Sequence, residues 1–144
     1  MRFIISGMPR CHTAWFTALL HAHGARPMHD VFARGHTVSS LDQIVDPAVA
    51  LLTPVEALEK PNTVCISLYS DSFMDRMSAL EEAAGIHLSD SHLSVYATNF
   101  EHYHLNADMR VHVKDLDDDS VVGEVIKRCT KQAPSYDIIS TFQR

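Results

Sequence analysis

The segment Phe3-Ile4-Ile5 is an apolar run closed by Ser6-Gly7-Met8-Pro9, and from Thr13 the positions Ala14, Trp15, Ala18, Leu19 and Ala22 recur at helical spacing up to Gly24. Strand, tight turn and helix thus follow one another without a break, and this unit constrains the fold more than any other feature. It returns in Val64-Cys65-Ile66-Ser67-Leu68-Tyr69, followed by Phe73, Met77, Leu80 and Ala84 on a helix ended by Gly85. Leu93, Tyr96, Ala97, Phe100 and His104 mark a further helix that Ser89 or Asp90 can cap. Met109-Arg110-Val111-His112-Val113 alternates as a strand. Asp117–Asp119 then precede Val121, Val122, Val125 and Ile126, with Lys127, Arg128 and Lys131 in the last turn, charges that complement a helix dipole at both ends. Between Ala25 and Pro61 the residues Pro27, Gly35, Pro47 and Pro54 punctuate short apolar pieces, so loops are expected there, with one short helix over Val55–Glu59. Strands alternating with helices predict an α/β fold in which a parallel sheet is covered on both faces. The ligand crevice of such a sheet lies beyond the carboxyl ends of its strands, where Gly7–Thr13, Ser70–Asp71 and Lys114–Asp115 converge.

A chain of 144 residues, 46% apolar and 21% charged, with no internal repeat and no Gly/Ser linker, reads as one globular domain over 1–144. Its 12 basic and 18 acidic residues leave a formal charge of −6, which excludes a broad footprint on nucleic acid and requires any anion to be bound locally. No apolar stretch is long enough to cross a bilayer, and the first residues lack a signal-peptide core. Cys11, Cys65 and Cys129 are widely spaced and form no CxxC, as suits a reducing compartment. The expectation is a cytoplasmic protein with neither membrane nor nucleic acid as partner, open to self-association as a homo-oligomer.

Gly7-Met8-Pro9-Arg10-Cys11-His12-Thr13 joins strand to helix, so backbone N–H groups and the helix dipole converge on one point, the place for an anion. Arg10 adds a forked cationic donor and Thr13 a hydroxyl from the first helical turn. A Walker A loop, GxxxxGK[ST], would require Gly, Lys and Ser/Thr where this chain has His12, Thr13 and Ala14, which disfavours a nucleoside-triphosphate kinase. The segment resembles instead the phosphosulfate-binding loop of sulfotransferases, close to G-x-P-[RK]-S-G-T-[TA]-[WL]-[LF]. Gly7, Pro9, Arg10, Thr13 and the pair Trp15-Phe16 match it, while Cys11 replaces Ser and His12 replaces Gly. The likeness is to the small, phage-type members of that family, and the order of elements through Val111–Leu116 extends it diffusely along the chain. It implies a three-layer αβα, P-loop NTPase-like fold with a short parallel sheet. It further implies sulfonate transfer from 3′-phosphoadenosine 5′-phosphosulfate to a hydroxyl or amine on a small-molecule or protein acceptor, with no metal required. On that resemblance Gly7, Pro9, Arg10, Cys11, His12 and Thr13 would hold the phosphosulfate or its product 3′,5′-adenosine bisphosphate, with Arg10 meeting charge on the leaving phosphate.

Sulfonyl transfer needs a proton acceptor beside the attacking oxygen. Arg26-Pro27-Met28-His29-Asp30-Val31-Phe32 is similar to a bacterial sulfotransferase segment in which a glutamate base follows an Arg-Pro pair. Asp30 stands in that place, whereas His29 titrates nearer neutrality, so both are candidates, with His36 a third on what is expected to be one loop. The family holds the 3′-phosphate through a pattern like R-[DN]-P-x5-S. Here Ser70-Asp71 and Ser78 occupy it, with Ser70 where the arginine belongs and Arg76 the nearest replacement. Loss of that guanidinium removes a charge-assisted bond of about 1.5–3 kcal/mol and with it the basis for selecting a 3′-phosphate.

Other constellations carry less. His102 and His104 lie about 200° apart on a helix, so a metal triad with His112 fails on geometry, as does His21-x-His23. Asp115-Leu116-Asp117-Asp118-Asp119 after a strand has the look of a Walker B acid, but helix capping explains it more simply. Cys11 at a helix N-terminus invites comparison with cysteine phosphatases, yet their Cys-x5-Arg would put an arginine at Thr17. Two alternatives stand beside the sulfotransferase reading: a non-catalytic nucleotide-binding or interaction module on the same fold, and a degenerate P-loop phosphotransferase using Asp115 with Mg²⁺.

Overall fold

The computed structural model describes residues 2–8, 11–29, 48–51, 62–130 and 132–142. Strand β1 (Arg2–Gly7) runs into α1 (Thr13–Ala22), and two strands, β2 (Met28–His29) and β3 (Ala48–Leu51), precede β4 (Thr63–Tyr69). Helices α2 (Phe73–Ala84) and α3 (Asp90–Leu105) follow, then β5 (Met109–His112), a 3₁₀ helix (Val113–Asp117), α4 (Asp119–Thr130) and α5 (Tyr136–Thr141). All five strands are parallel, in the order β2-β3-β1-β4-β5. The fold is the expected three-layer α/β architecture, a parallel sheet between helices, with the first strand at the centre of the sheet and its following turn at the carboxyl edge.

β1 is central because both its edges find partners: Gly7 sits level with Leu51 of β3 on one side and with Leu68 of β4 on the other. Alternation along the strands then sorts side chains between the two faces. Phe3 and Ile5, with Ile66, Leu68 and Val111, share one core with Phe16 and Leu19 of α1, Val125 and Ile126 of α4 and Ile139 of α5. The opposite face meets α3: Tyr103 is buried, and its hydroxyl donates to the carbonyl of Ile4 at 3.1 Å. α2 leans on α3 through Phe73 stacked on Phe100, ring centroids 5.8 Å apart.

The expectation of loops from 25 to 61 needs correction, because β2 and β3 lie inside that span. Pairing decides them: Ala48-Val49-Ala50-Leu51 is a short apolar piece that becomes a strand only because β1 offers a free edge. The expected helix Val55–Glu59 lies outside the described residues. The other boundaries follow local chemistry. Gly85 ends α2 at φ 66°, and Ser72, Ser89 and Ser135 each accept a backbone N–H at the start of α2, α3 and α5. α5 was not foreseen from the sequence. Among the described residues no helix is long and apolar enough to cross a membrane.

Candidate functional site

Two loops meet at the carboxyl edge of the sheet, one after β1 and one after β4. At the first, a Cβ on Gly7 would stand 1.9 Å from the carbonyl oxygen of Leu68, and φ is +156°, so only glycine lets the end of β1 press this closely on β4. The next N–H, of Met8, donates to that same carbonyl at 3.1 Å. Pro9 and Arg10 lie outside the described residues. Cys11 is fully buried, and burial pushes its thiol up to about 11, against a smaller opposing pull from the charge of Arg76. It is therefore no acidified nucleophile. His12 is exposed and left-handed at φ 67°, ψ 30°, and immediately precedes α1. Its carbonyl accepts from Phe16 N–H at 3.0 Å, but its side chain does not cap the helix, whose first turn holds no acidic residue. Thr13 is buried as the first helical residue. His12 thus supplies the amino end of α1 with neither a carboxylate nor a hydroxyl cap.

At the second loop, the N–H of Ser70 donates to the sulfur of Met8 at 3.3 Å and its hydroxyl to the same sulfur at 3.7 Å. Asp71, beside it, receives His112 Nε2 on Oδ1 at 2.8 Å and Lys114 Nζ on Oδ2 at 3.0 Å. His112 Nδ1 accepts the backbone N–H of Lys114 at 3.0 Å, so the ring proton resides on Nε2 and is donated to the carboxylate. These bonds, that of His112 foremost and then those of Lys114, hold the Asp71 carboxyl below its usual range. Behind them Tyr69 packs between two imidazoles, 4.6 Å from His104 and 4.8 Å from His112. His104 Nδ1 lies 2.9 Å from the buried hydroxyl of Ser67, and burial, with the charge of Arg110, lowers its pKa.

The structure thus brings Gly7, Cys11, His12 and Thr13 to one turn, with Ser70 bonded to Met8 of the same turn. Ser78 is exposed on α2. His29 is not in a loop: its backbone belongs to β2, level with Val49 and, through it, with Ile5. That correction reflects pairing across the sheet, which a two-residue strand cannot announce. Asp30 and His36 lie outside the described residues. Asp118 Oδ1 accepts from both the N–H and the hydroxyl of Ser120, so the acidic run caps α4, while Asp115 is exposed. Among the described residues no group of three potential ligands is placed to hold a metal. Sequence reasoning gives Met8 no role and weighs His112 only in a metal triad that fails on geometry. The place of His112 at the end of an alternating strand was the available signal.

No family model matches the chain, and no curated protein matches it. Among solved structures it is similar to a 1.7 Å crystal structure of shikimate kinase from Bacteroides thetaiotaomicron, with 12% identity, 91% of this chain and 96% of that chain covered, and a TM-score of 0.45. A likeness of that degree transfers neither activity nor site residues.

Proposed function

We propose that the chain binds the phosphorylated or phosphosulfated 5′ end of a nucleotide at the turn between β1 and α1, and that it is a sulfotransferase-like protein. One observation carries the reading: residue 12 takes the left-handed conformation although it is histidine. The loop that Gly7–Thr13 resembles has glycine there, and His12 takes at some cost a conformation that glycine takes freely, which a mere connector has no reason to bear. Thr13 at the position of a Walker A lysine favours the sulfotransferase type of loop over a triphosphate-binding one. On this reading the first N–H groups of α1 and Arg10 hold the anion. His29 or Asp30 takes the proton of a hydroxyl or amine acceptor, whose oxygen or nitrogen bonds to sulfur as the S–O bond to the donor's phosphate breaks and the nucleotide 5′-phosphate leaves. By the resemblance Ser70 stands where the family's 3′-phosphate arginine belongs, and in this chain its N–H and hydroxyl donate to the sulfur of Met8.

A second reading, a nucleotide-binding module without transferase activity, is favoured by that same Met8–Ser70 contact. Calorimetry with 5′-AMP, sulfate and ATP·Mg²⁺ on the wild type and on Arg10→Ala tests the binding. Nucleotide binding that is independent of Mg²⁺ and lost with Arg10 is expected, whereas ATP binding that requires Mg²⁺ would favour the phosphotransferase reading. Sulfonate transfer to a panel of phenols and amines, abolished in His29→Ala or Asp30→Ala, would separate enzyme from binder.

A further inference from the structure

His23 closes α1, and although polar it is only 7% exposed. Its ring bridges two distant parts of the chain. Nδ1 lies 2.9 Å from the carbonyl of Leu19, one turn back on the same helix, and Nε2 accepts the backbone N–H of Ser135, 112 residues further on, at 3.1 Å. A carbonyl can only accept and a backbone N–H can only donate, so the two partners fix the ring between them. Nδ1 carries the proton and Nε2 offers a lone pair, an arrangement open only to neutral imidazole. Ser135 in turn opens α5: its hydroxyl accepts from Ile138 N–H at 3.3 Å and its carbonyl from Ile139 N–H at 3.0 Å. The cap of α5 and its tie to α1 thus meet in one residue. Little else holds this short helix, because Ile139 is its one buried residue, and Tyr136 is exposed where it lies with Pro134 over Gly123 of α4.

The ionisable groups on the elements packed at this corner leave the ring alone. His21 of α1, Lys127 and Arg128 in the last turn of α4, and Tyr136 and Asp137 of α5 are exposed. Arg128 is paired with Glu124 on its own helix, and Cys129 is buried with its thiol raised to about 12, hence uncharged. Among the described residues none of them bonds to His23, whose two partners are both backbone groups. The ends of the ring differ in what they can bear. Nδ1–H points at the negative end of α1, which favours a positive imidazole. Nε2 has no such relief: a proton there meets the N–H of Ser135 head-on, and that N–H loses its acceptor. We infer that His23 is a pH-sensitive latch, which when neutral ties the start of α5 to the end of α1 and when protonated lets go of Ser135 and loosens α5 from the core. Loosening begins at the cap and draws on Ile139, the residue by which α5 joins the main core.

Native-state hydrogen exchange of the 144-residue chain at pH 8 and pH 5.5, which span the range where histidines ordinarily titrate, decides the matter. From the higher to the lower pH the protection factors of Ser135, Ile138 and Ile139 should fall about tenfold relative to those of Val125 and Ile126 in α4, the worth of one hydrogen bond. In His23→Gln, which removes the titrating ring, that ratio should be the same at both pH values. Nitrogen–proton spectra of the wild-type ring should show the Nδ1–H tautomer at pH 8, and the fall in α5 protection should follow the titration of this ring. A wild-type ratio that does not change with pH overturns the inference, as does the same fall in a folded His23→Gln. Should that variant fail to fold, the wild-type ring decides: an Nε2–H tautomer at pH 8, or a loss of α5 protection out of step with its titration, overturns the latch.

Discussion

Gly7 and His12 bracket the β1–α1 turn, and each sits in a backbone region that favours glycine, but only one of them is glycine. At Gly7 the conflict with the Leu68 carbonyl is with backbone, which cannot swing aside. Gly7→Ala should therefore cost about 3 kcal/mol or more, read as a lowered midpoint of urea unfolding. His12 is exposed and only its φ is costly. His12→Gly relieves about 1–2 kcal/mol of left-handed strain against about 0.5–1 kcal/mol of added chain entropy, so a net gain of about 0.5–1 kcal/mol is expected by the same measurement. Unchanged stability in the first variant would mean that β1 does not close on β4 as described. The turn was legible in the sequence because everything it needs lies between Gly7 and Thr13. The contact of Met8 with Ser70 was not, since the partners are 62 residues apart.

At the scale of elements, α3 is held to the sheet by polar contacts as much as by apolar ones. Arg110 of β5 donates through Nε to the carbonyl of His104 and through Nη2 to that of Leu105, both at 2.6 Å, so a cation meets the negative end of the helix. Arg110→Ala should cost about 1–2 kcal/mol in thermal or urea unfolding. His104 adds a dependence on pH. It faces Ser67 and Tyr69 of β4, Phe100 of its own helix and the charge of Arg110, and its pKa in the folded chain lies below the ordinary 6.5. As pH falls the unfolded chain takes up that proton first, so the stability tied to neutral His104 is complete above pH 6.5 and is lost as pH falls toward the lowered value. Urea midpoints of the wild type and His104→Gln at pH 8 and pH 5.5 should diverge in slope, the variant falling less. Parallel loss in both would remove His104 from the account. Helices α2, α3 and α4 were readable because their caps and spacing are local. β2 and β3 were not, because a short strand is defined by its neighbour.

At the scale of the molecule, all three cysteines are buried, Cys11 in the β1–α1 turn, Cys65 on β4 and Cys129 on α4, and burial raises their thiols to about 11 for Cys11 and Cys65 and about 12 for Cys129. A thiol reagent at pH 8 should label none of them in the native chain and all three at the rate of global unfolding; rapid labelling of one would show that its region opens locally. The sequence by itself determined that the chain alternates strand and helix and where most helices begin and end, because caps, glycines and apolar spacing act over a few residues. Tertiary structure alone decided the order β2-β3-β1-β4-β5, the recruitment of His29 into a strand, and the seating of Met8 over Ser70. Those outcomes depend on contacts between segments far apart in the chain, whose free energies exist only once the sheet has closed around β1.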